Sequence, residues 1–246
     1  MSIHRLIHGD CLKVLESGAI GSVNCIFADP PDNIGLFYCD GKDLVPNCEY
    51  LTWLGQCIRH FLPITDTLWF SFNAKWMLDL SCVLDELIHA PLRNLEARFC
   101  IQTFTFGQHR QTDLGYGYRP LLRLRYENAP IYPDQVRVPS WRQEHGDKRA
   151  DPRGRVPSDV FNFPRVTGNS QQRRTWHPTQ LHEGLIERCI KLSTKEGDVV
   201  LDPFAGTGTT LRVCKRINRS CILIEKNAYY CEKLAEEHGL LIAQAE

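Results

Sequence analysis

Apolar positions along the chain fall into short continuous runs separated by longer helical repeats. Residues 5–8, 23–27, 67–72, 99–106, 199–201 and 221–224 are compact runs rich in Val, Ile, Leu, Phe and Cys, and each predicts a buried strand. Residues 121–126 alternate Leu and Arg and predict another strand. Between the runs, apolar residues recur at helical spacing. Leu51, Leu54, Ile58 and Phe61 predict a helix over 49–61, a second covers 76–88, and Leu181, Leu185, Ile186, Cys189 and Ile190 form one apolar helix face. Shorter helices are expected over 11–16, 211–217 and 228–237. Strand and helix alternate from residue 5 to 106, the order of an α/β fold with a mostly parallel sheet.

The pattern breaks over 107–174. From Asn128 to Arg174 there is little periodicity and there are six prolines, too long a stretch for an ordinary connection. It reads as a small irregular subdomain or as a loop that orders on a partner. The expected organisation is a single domain, 1–246, with one half over 1–106, the irregular segment over 107–174 and a second half over 175–246.

Composition adds limits. At 43% hydrophobic and 24% charged, the chain is of ordinary soluble type. No apolar run approaches the length of a membrane span, and the N-terminus lacks a signal-peptide pattern. The 11 cysteines form no CxxC pair, so they are expected to be reduced in a cytoplasmic protein, and no metal site is expected. The net charge is zero but uneven. Residues 93–174 hold 15 basic against 8 acidic residues, 14 of the basic ones arginine. That excess suits a phosphate-facing surface, and a merely solvated charged face is the alternative.

Two stretches carry candidate chemistry. The strand at 23–27 ends in Ala28-Asp29-Pro30-Pro31-Asp32-Asn33. Two prolines cannot continue a sheet ladder and restrict the residues before them, which makes a stiff turn. The turn holds the Asp29 carboxylate and the Pro30 carbonyl in a fixed relation. Two acceptors suit a group with two N–H donors, such as the exocyclic amine of a base; a plain proline turn is the alternative. The second stretch is Leu201-Asp202-Pro203-Phe204-Ala205-Gly206-Thr207-Gly208-Thr209-Thr210, between a strand and a helix, with Glu225 ending the next strand. Strand, glycine loop, helix, strand and terminal acid make a nucleoside-binding unit, with Glu225 placed to accept ribose hydroxyls. Position 211 is Leu, so the third glycine of a dinucleotide loop is missing, which disfavours a nicotinamide cofactor.

Together these residues resemble the DNA amino-methyltransferases that use S-adenosylmethionine. Asp29-Pro30-Pro31 resembles their catalytic motif and residues 201–210 their cofactor loop. Catalytic motif first and cofactor loop last is the order of the circularly permuted β class. Trp176-His177-Pro178-Thr179-Gln180 and Gly9-Asp10-Cys11 resemble its other cofactor segments. The resemblance implies a Rossmann-like class I methyltransferase fold, a seven-stranded mostly parallel sheet with helices on both faces, and an irregular target-recognition insertion. It implies Asp29, Pro30, Pro31 and Asp32 as catalytic residues, and Asp10, Cys11, His177, Asp202, Phe204, Gly206, Gly208, Thr209 and Glu225 around S-adenosylmethionine. Double-stranded DNA is the implied partner, with Arg110, Arg119, Arg142, Arg149, Arg153, Arg155 and Arg173 as candidate contacts and His109, Tyr116 and Tyr118 along the route to the pocket. The oligomeric state is left open, a homodimer among the options.

Asp32 departs from the family, where this position is normally aromatic and stacks on the flipped base. Three readings stay open: Phe37, Tyr38 or Trp176 supplies the ring; Asp32 makes a new hydrogen bond and the substrate is altered; or catalysis is weakened and the chain mainly binds DNA. An acidic first residue, Asp29, resembles the adenine-N6 members, with cytosine N4 as the alternative.

Overall fold

The computed structural model describes residues 2–88, 94–104 and 111–244. In chain order the elements are β1 (His4–His8), α1 (Cys11–Glu16), β2 (Val23–Ala28), β3 (Phe37–Tyr38), β4 (Gly41–Lys42), α2 (Asn47–Phe61), β5 (Thr65–Ser71), α3 (Met77–Ile88), β6 (Leu95–Thr103), β7 (Tyr118–Tyr126), α4 (Trp141–Glu144), β8 (Val160–Asn162), α5 (Glu183–Ser193), β9 (Val199–Asp202), α6 (Thr209–Arg216), β10 (Ser220–Glu225), α7 (Ala228–His238) and β11 (Ile242–Gln244).

Among the described residues nine strands form one sheet in the order β11-β1-β10-β9-β2-β5-β7-β6-β8, where the resemblance implies seven. The two outermost, β11 and β8, are three residues each, too short to leave a clear apolar run. Within this sheet all pairings are parallel except those of β7, which runs antiparallel to both β5 and β6, while β3 and β4 form a separate antiparallel pair. The irregular segment is therefore not a separate lobe, since β7 and β8 are built into the main sheet. Its remainder carries the short helix α4, capped by Ser140, and isolated turns.

Helices cover both faces, as expected. On one, Leu54, Ile58, Phe61 and Leu80 from α2 and α3 pack on Ile26, Leu68 and Phe70. On the other, Leu185, Ile190, Leu211 and Leu234 from α5, α6 and α7 pack on Phe27, Trp69 and Val200. The central strands are thus apolar on both sides, which is why they read as continuous runs rather than alternations. Trp69 ties the second layer down by donating its indole N–H to Ser193 Oγ at 2.8 Å.

This topology fixes the site. Chain order reverses between β9 and β2, which pair through Cys25↔Val200 and Ile26↔Leu201. Ligands of open α/β sheets bind outside the carboxyl ends of strands at such a reversal. The carboxyl end of β2 leads to Asp29, that of β9 is Asp202, and that of β10 is Glu225. Antiparallel β7 instead brings its beginning to this edge, with Leu121 opposite Ser71. That register delivers Arg119.

Candidate active site

A cleft of about 1110 Å³ opens along this edge, lined by both sequence motifs. Its centre is the turn after β2. Tyr50 donates its hydroxyl to the Pro31 carbonyl at 2.6 Å, and Trp76 donates its indole N–H to the Asp32 carbonyl at 2.7 Å. Asn33 closes the turn in the left-handed region at φ 54°, exchanging hydrogen bonds with Val45 through its side chain. Among the described residues no donor meets the Pro30 carbonyl. The turn is thus pinned through the Pro31 and Asp32 carbonyls, and the Pro30 carbonyl stays available next to Asp29.

By sequence Arg119 is one of the candidate DNA-contacting arginines; the structure places it on the two aspartates instead. Its Nη2 donates to Asp29 Oδ1 at 2.7 Å and to Asp32 Oδ1 at 3.0 Å, its Nη1 to Asp32 Oδ2 at 2.8 Å, and its Nε to Ser71 Oγ at 2.6 Å. Burial raises the Asp29 carboxyl above its ordinary range, the Arg119 charge pulls it back, and the Asp32 charge raises it again. Asp29 keeps 26% of its side chain open, whereas Asp32 keeps 9%. Of the rings offered to replace the missing aromatic, Tyr38 lines the cleft and Phe37 and Trp176 do not.

The glycine loop forms the adjoining wall. Glu225 accepts from the backbone N–H of Gly206 and from that of Asn227, each at 2.8 Å, so it holds the loop as well as ending β10. Its burial raises the carboxyl above its ordinary range. Phe204 turns toward the cleft and packs on Trp53 with ring centroids 5.6 Å apart. His177 lies over Gly206, against the Tyr230 ring at 4.7 Å, and its Nδ1 is 2.7 Å from the Thr179 carbonyl. Burial lowers this imidazole to about 4, so it is neutral at pH 7. Asp10 caps α1 by accepting from Leu12 N at 3.1 Å and still lines the cleft, next to Cys11. Asp202 accepts from Phe204 N at 3.0 Å, and Thr209 meets the Thr207 hydroxyl at 2.8 Å.

Gly208 departs from its expected place. It starts α6 at φ 69° with its back to α7 and does not line the cleft. A Cβ there would sit 2.5 Å from Leu234 Cδ2. Its glycine serves packing and a left-handed turn. Gly208→Ala should lower stability by about 2–4 kcal/mol, from overpacking plus the left-handed backbone. Urea unfolding should show a lower midpoint at unchanged slope; an unchanged midpoint would refute this reading.

The basic surface is also redistributed. Arg110 and His109 lie outside the described residues. Arg149 and Arg153 are held by Asp147 at 2.9 Å and Asp151 at 3.1 Å. Arg142, Arg149, Arg153 and Arg155 are exposed and away from the cleft. Arg173 lines it: Nη2 donates to the Pro178 carbonyl at 3.2 Å, while Nη1 is buried with no partner among the described residues. Tyr116 and Tyr118 are also cleft residues, as is Arg165, which the sequence did not single out. Tyr50, Ser71 and Trp76 carry no motif signal; they belong to the site through their positions on α2, on β5 and just before α3.

A sheet of this kind, with a glycine loop and a carboxylate turn facing one cleft, is the Rossmann-like fold of methyltransferases. A family model described as DNA methylase, N6_N4_Mtase, matches residues 23–237. Type II methyltransferase M.HpaI of Haemophilus parainfluenzae is 32% identical over 240 residues, covering 94% of this chain and 73% of that protein. DNA adenine methyltransferase YhdJ of Escherichia coli (strain K12) is 30% identical over 240 residues, covering 92% and 79%. The solved M1.HpyAVI–SAM complex matches with a TM-score of 0.66 at 19% identity, over 97% of this chain and 100% of that one. The chain belongs to the N6/N4 DNA methylase family.

Proposed function

We propose that this chain transfers a methyl group from S-adenosylmethionine to adenine N6 in double-stranded DNA, in the cytoplasm, as a β-class enzyme. The observation that carries the reading is the Asp29 carboxylate next to the Pro30 carbonyl, which meets no donor among the described residues, in the same cleft as the glycine loop. An exocyclic amine is a poor nucleophile because its lone pair is delocalised into the ring. Asp29 and the Pro30 carbonyl each accept one of its N–H groups. That aims the lone pair and stabilises positive charge as it develops on nitrogen, so positioning and electrostatics supply the rate. The base has to leave the duplex to reach the turn.

The residues present fit the cofactor. The orphaned Arg173 Nη1 at the cleft wall suits a carboxylate, Glu225 retains lone pairs for ribose hydroxyls, and Asp10 and Cys11 suit an adenine edge. Phe204 and Gly206 would flank the methionine part. When bound, S-adenosylmethionine supplies an electrophilic methyl group. Adenine is favoured over cytosine by the acidic first residue of the motif and by the sequence likeness to an adenine methyltransferase.

Incubation with methyl-labelled S-adenosylmethionine and mixed-sequence duplex DNA, followed by nucleoside mass spectrometry, tests this. N6-methyladenine is the expected product. N4-methylcytosine would move the target to cytosine, and no labelled nucleoside with DNA binding retained would leave a binding relative instead.

A further inference from the structure

The Asp32–Arg119 pair has a shape the proposed reaction can use. Guanidinium offers five N–H donors, all in its plane. Four are taken: one by Ser71, two by the oxygens of Asp32 and one by Asp29. Every one of these bonds runs along an edge, so the flat faces carry none of them. The backbone of Asp32 is itself held by Trp76, which donates its indole N–H to the Asp32 carbonyl. Arg119 lines the cleft and keeps 16% of its side chain open. The result is a rigid planar surface next to the two amine acceptors.

We propose that this carboxylate–guanidinium pair is the platform on which the flipped base lies, taking the place of the aromatic ring. The proposal rests on the methyl-transfer reading above. Arginine planes stack on bases as aromatic rings do. The charges also balance. Asp32 and Arg119 cancel, which leaves the single negative charge of Asp29 facing the amine. A bare arginine would oppose positive charge developing on nitrogen; one neutralised along its edges does not. A guanidinium face is indifferent to ring substituents, so the class of ligand it accepts is any planar heteroaromatic amine, and selection falls to Asp29 and Pro30.

Asp29 is faced by Arg119 from β7, Asp202 from β9, Tyr38 from β3, Tyr50 from α2 and Asp32 from its own turn. Among the charged groups Arg119 is the one that lowers its pKa, beside a hydrogen bond from Ser71 of β5 that all the variants keep, which gives the test a second readout. Methyl transfer to mixed-sequence duplex DNA should be measured against pH for the wild type, Arg119→Lys, Arg119→Met and the double variant Arg119→Met/Asp32→Tyr. S-adenosylmethionine binding, measured separately, reports the fold. Arg119→Lys keeps the charge but not the plane. Its kcat/KM should fall about 10- to 100-fold, the size of a lost stacking contact, with the acid limb of the profile in place and cofactor binding retained. Arg119→Met should fall as far and move its acid limb to higher pH. The double variant, with a ring restored, should regain at least about tenfold over Arg119→Met on the same stacking scale.

Arg119→Lys within threefold of an active wild type would overturn the platform and leave the methyl-transfer reading standing. A double variant that binds cofactor yet gains nothing would do the same. If the double variant does not bind cofactor, Arg119→Lys alone decides. A wild type that transfers no methyl group would overturn both.

Discussion

Asp29→Asn should lower kcat about 10²- to 10³-fold while S-adenosylmethionine binding stays near wild type, the loss expected when one preorganised electrostatic partner is removed. The amide keeps one carbonyl oxygen, so Arg119 retains a partner on this residue and the turn stays pinned by Tyr50 and Trp76. What disappears is the negative charge and one of the two acceptors the amine needs. A substituted NH2 also points donors at donors. Because the interaction grows as charge develops on nitrogen, the loss should fall on kcat rather than on KM.

The pH dependence gives an independent check on the same residue. In the wild type the rate should fall on the acid side as Asp29 takes up a proton, at a pH above its ordinary value of 3.8, because burial outweighs the pull of Arg119. In Asp29→Asn that limb should be absent. Steady-state kinetics from pH 4 to 8 would show both effects. Transfer within threefold of wild type, or a persisting acid limb of the same shape, would falsify the role given to Asp29.

Much of this site was legible because its two motifs are local. The run of residues 23–27 followed by two prolines announces a strand end whatever surrounds it. The glycine loop between a strand and a helix does the same for the opposite wall. What joins them is not local. β2 and β9 are neighbours although some 170 residues separate them, and only the sheet order brings Asp29 and Asp202 together.

Arg119 shows the limit most sharply. In sequence it is one arginine among many in a basic segment, and a phosphate contact was the economical reading. Its role follows from β7 running antiparallel, which places the start of that strand beside the end of β5. Strand direction within a sheet leaves no mark on an alternating Leu–Arg run. The Asp32 departure was visible, and its partner was not. Gly208 illustrates the converse: glycines of a nucleotide loop look alike in sequence, yet Gly206 meets the cleft under His177 while Gly208 backs onto Leu234. The segment over 107–174 misled for a further reason. Three of its arginines pair with aspartates two or three residues away, Arg137–Asp134, Arg149–Asp147 and Arg153–Asp151, and others with more distant acids such as Glu96 and Glu237, so its formal charge overstates the free cation it presents.

At pH 8, Asp202→Asn should be more stable than the wild type, by as much as about 4 kcal/mol, and the difference should vanish below pH 4. Asp202 ends β9 with 5% of its surface exposed. Burial pushes its carboxyl from 3.8 up to about 7, against hydrogen bonds from Thr210 and the Phe204 N–H that favour the charged form. The folded chain therefore holds this proton more tightly than the unfolded chain. Below 3.8 both states are protonated and the stabilising preference for the folded state is fully present. Between 3.8 and about 7 the unfolded chain ionises first, so stability falls by about 1.36 kcal/mol per pH unit, and the fall levels off above that window. Asparagine has the same shape, carries no charge, and can still accept from Phe204 N, so it escapes the fall. Urea unfolding of both proteins at pH 4, 6 and 8 would show diverging midpoints; parallel curves would mean that Asp202 is not the group responsible. The residue's neighbours explain why a carboxyl that weakens the fold persists. The charges of Asp29 and Glu225 both raise it further, so its carboxyl is one of a set of acidic groups gathered along the same cleft. Stability given up at a strand end for a charge arrangement is a trade that binding sites commonly make.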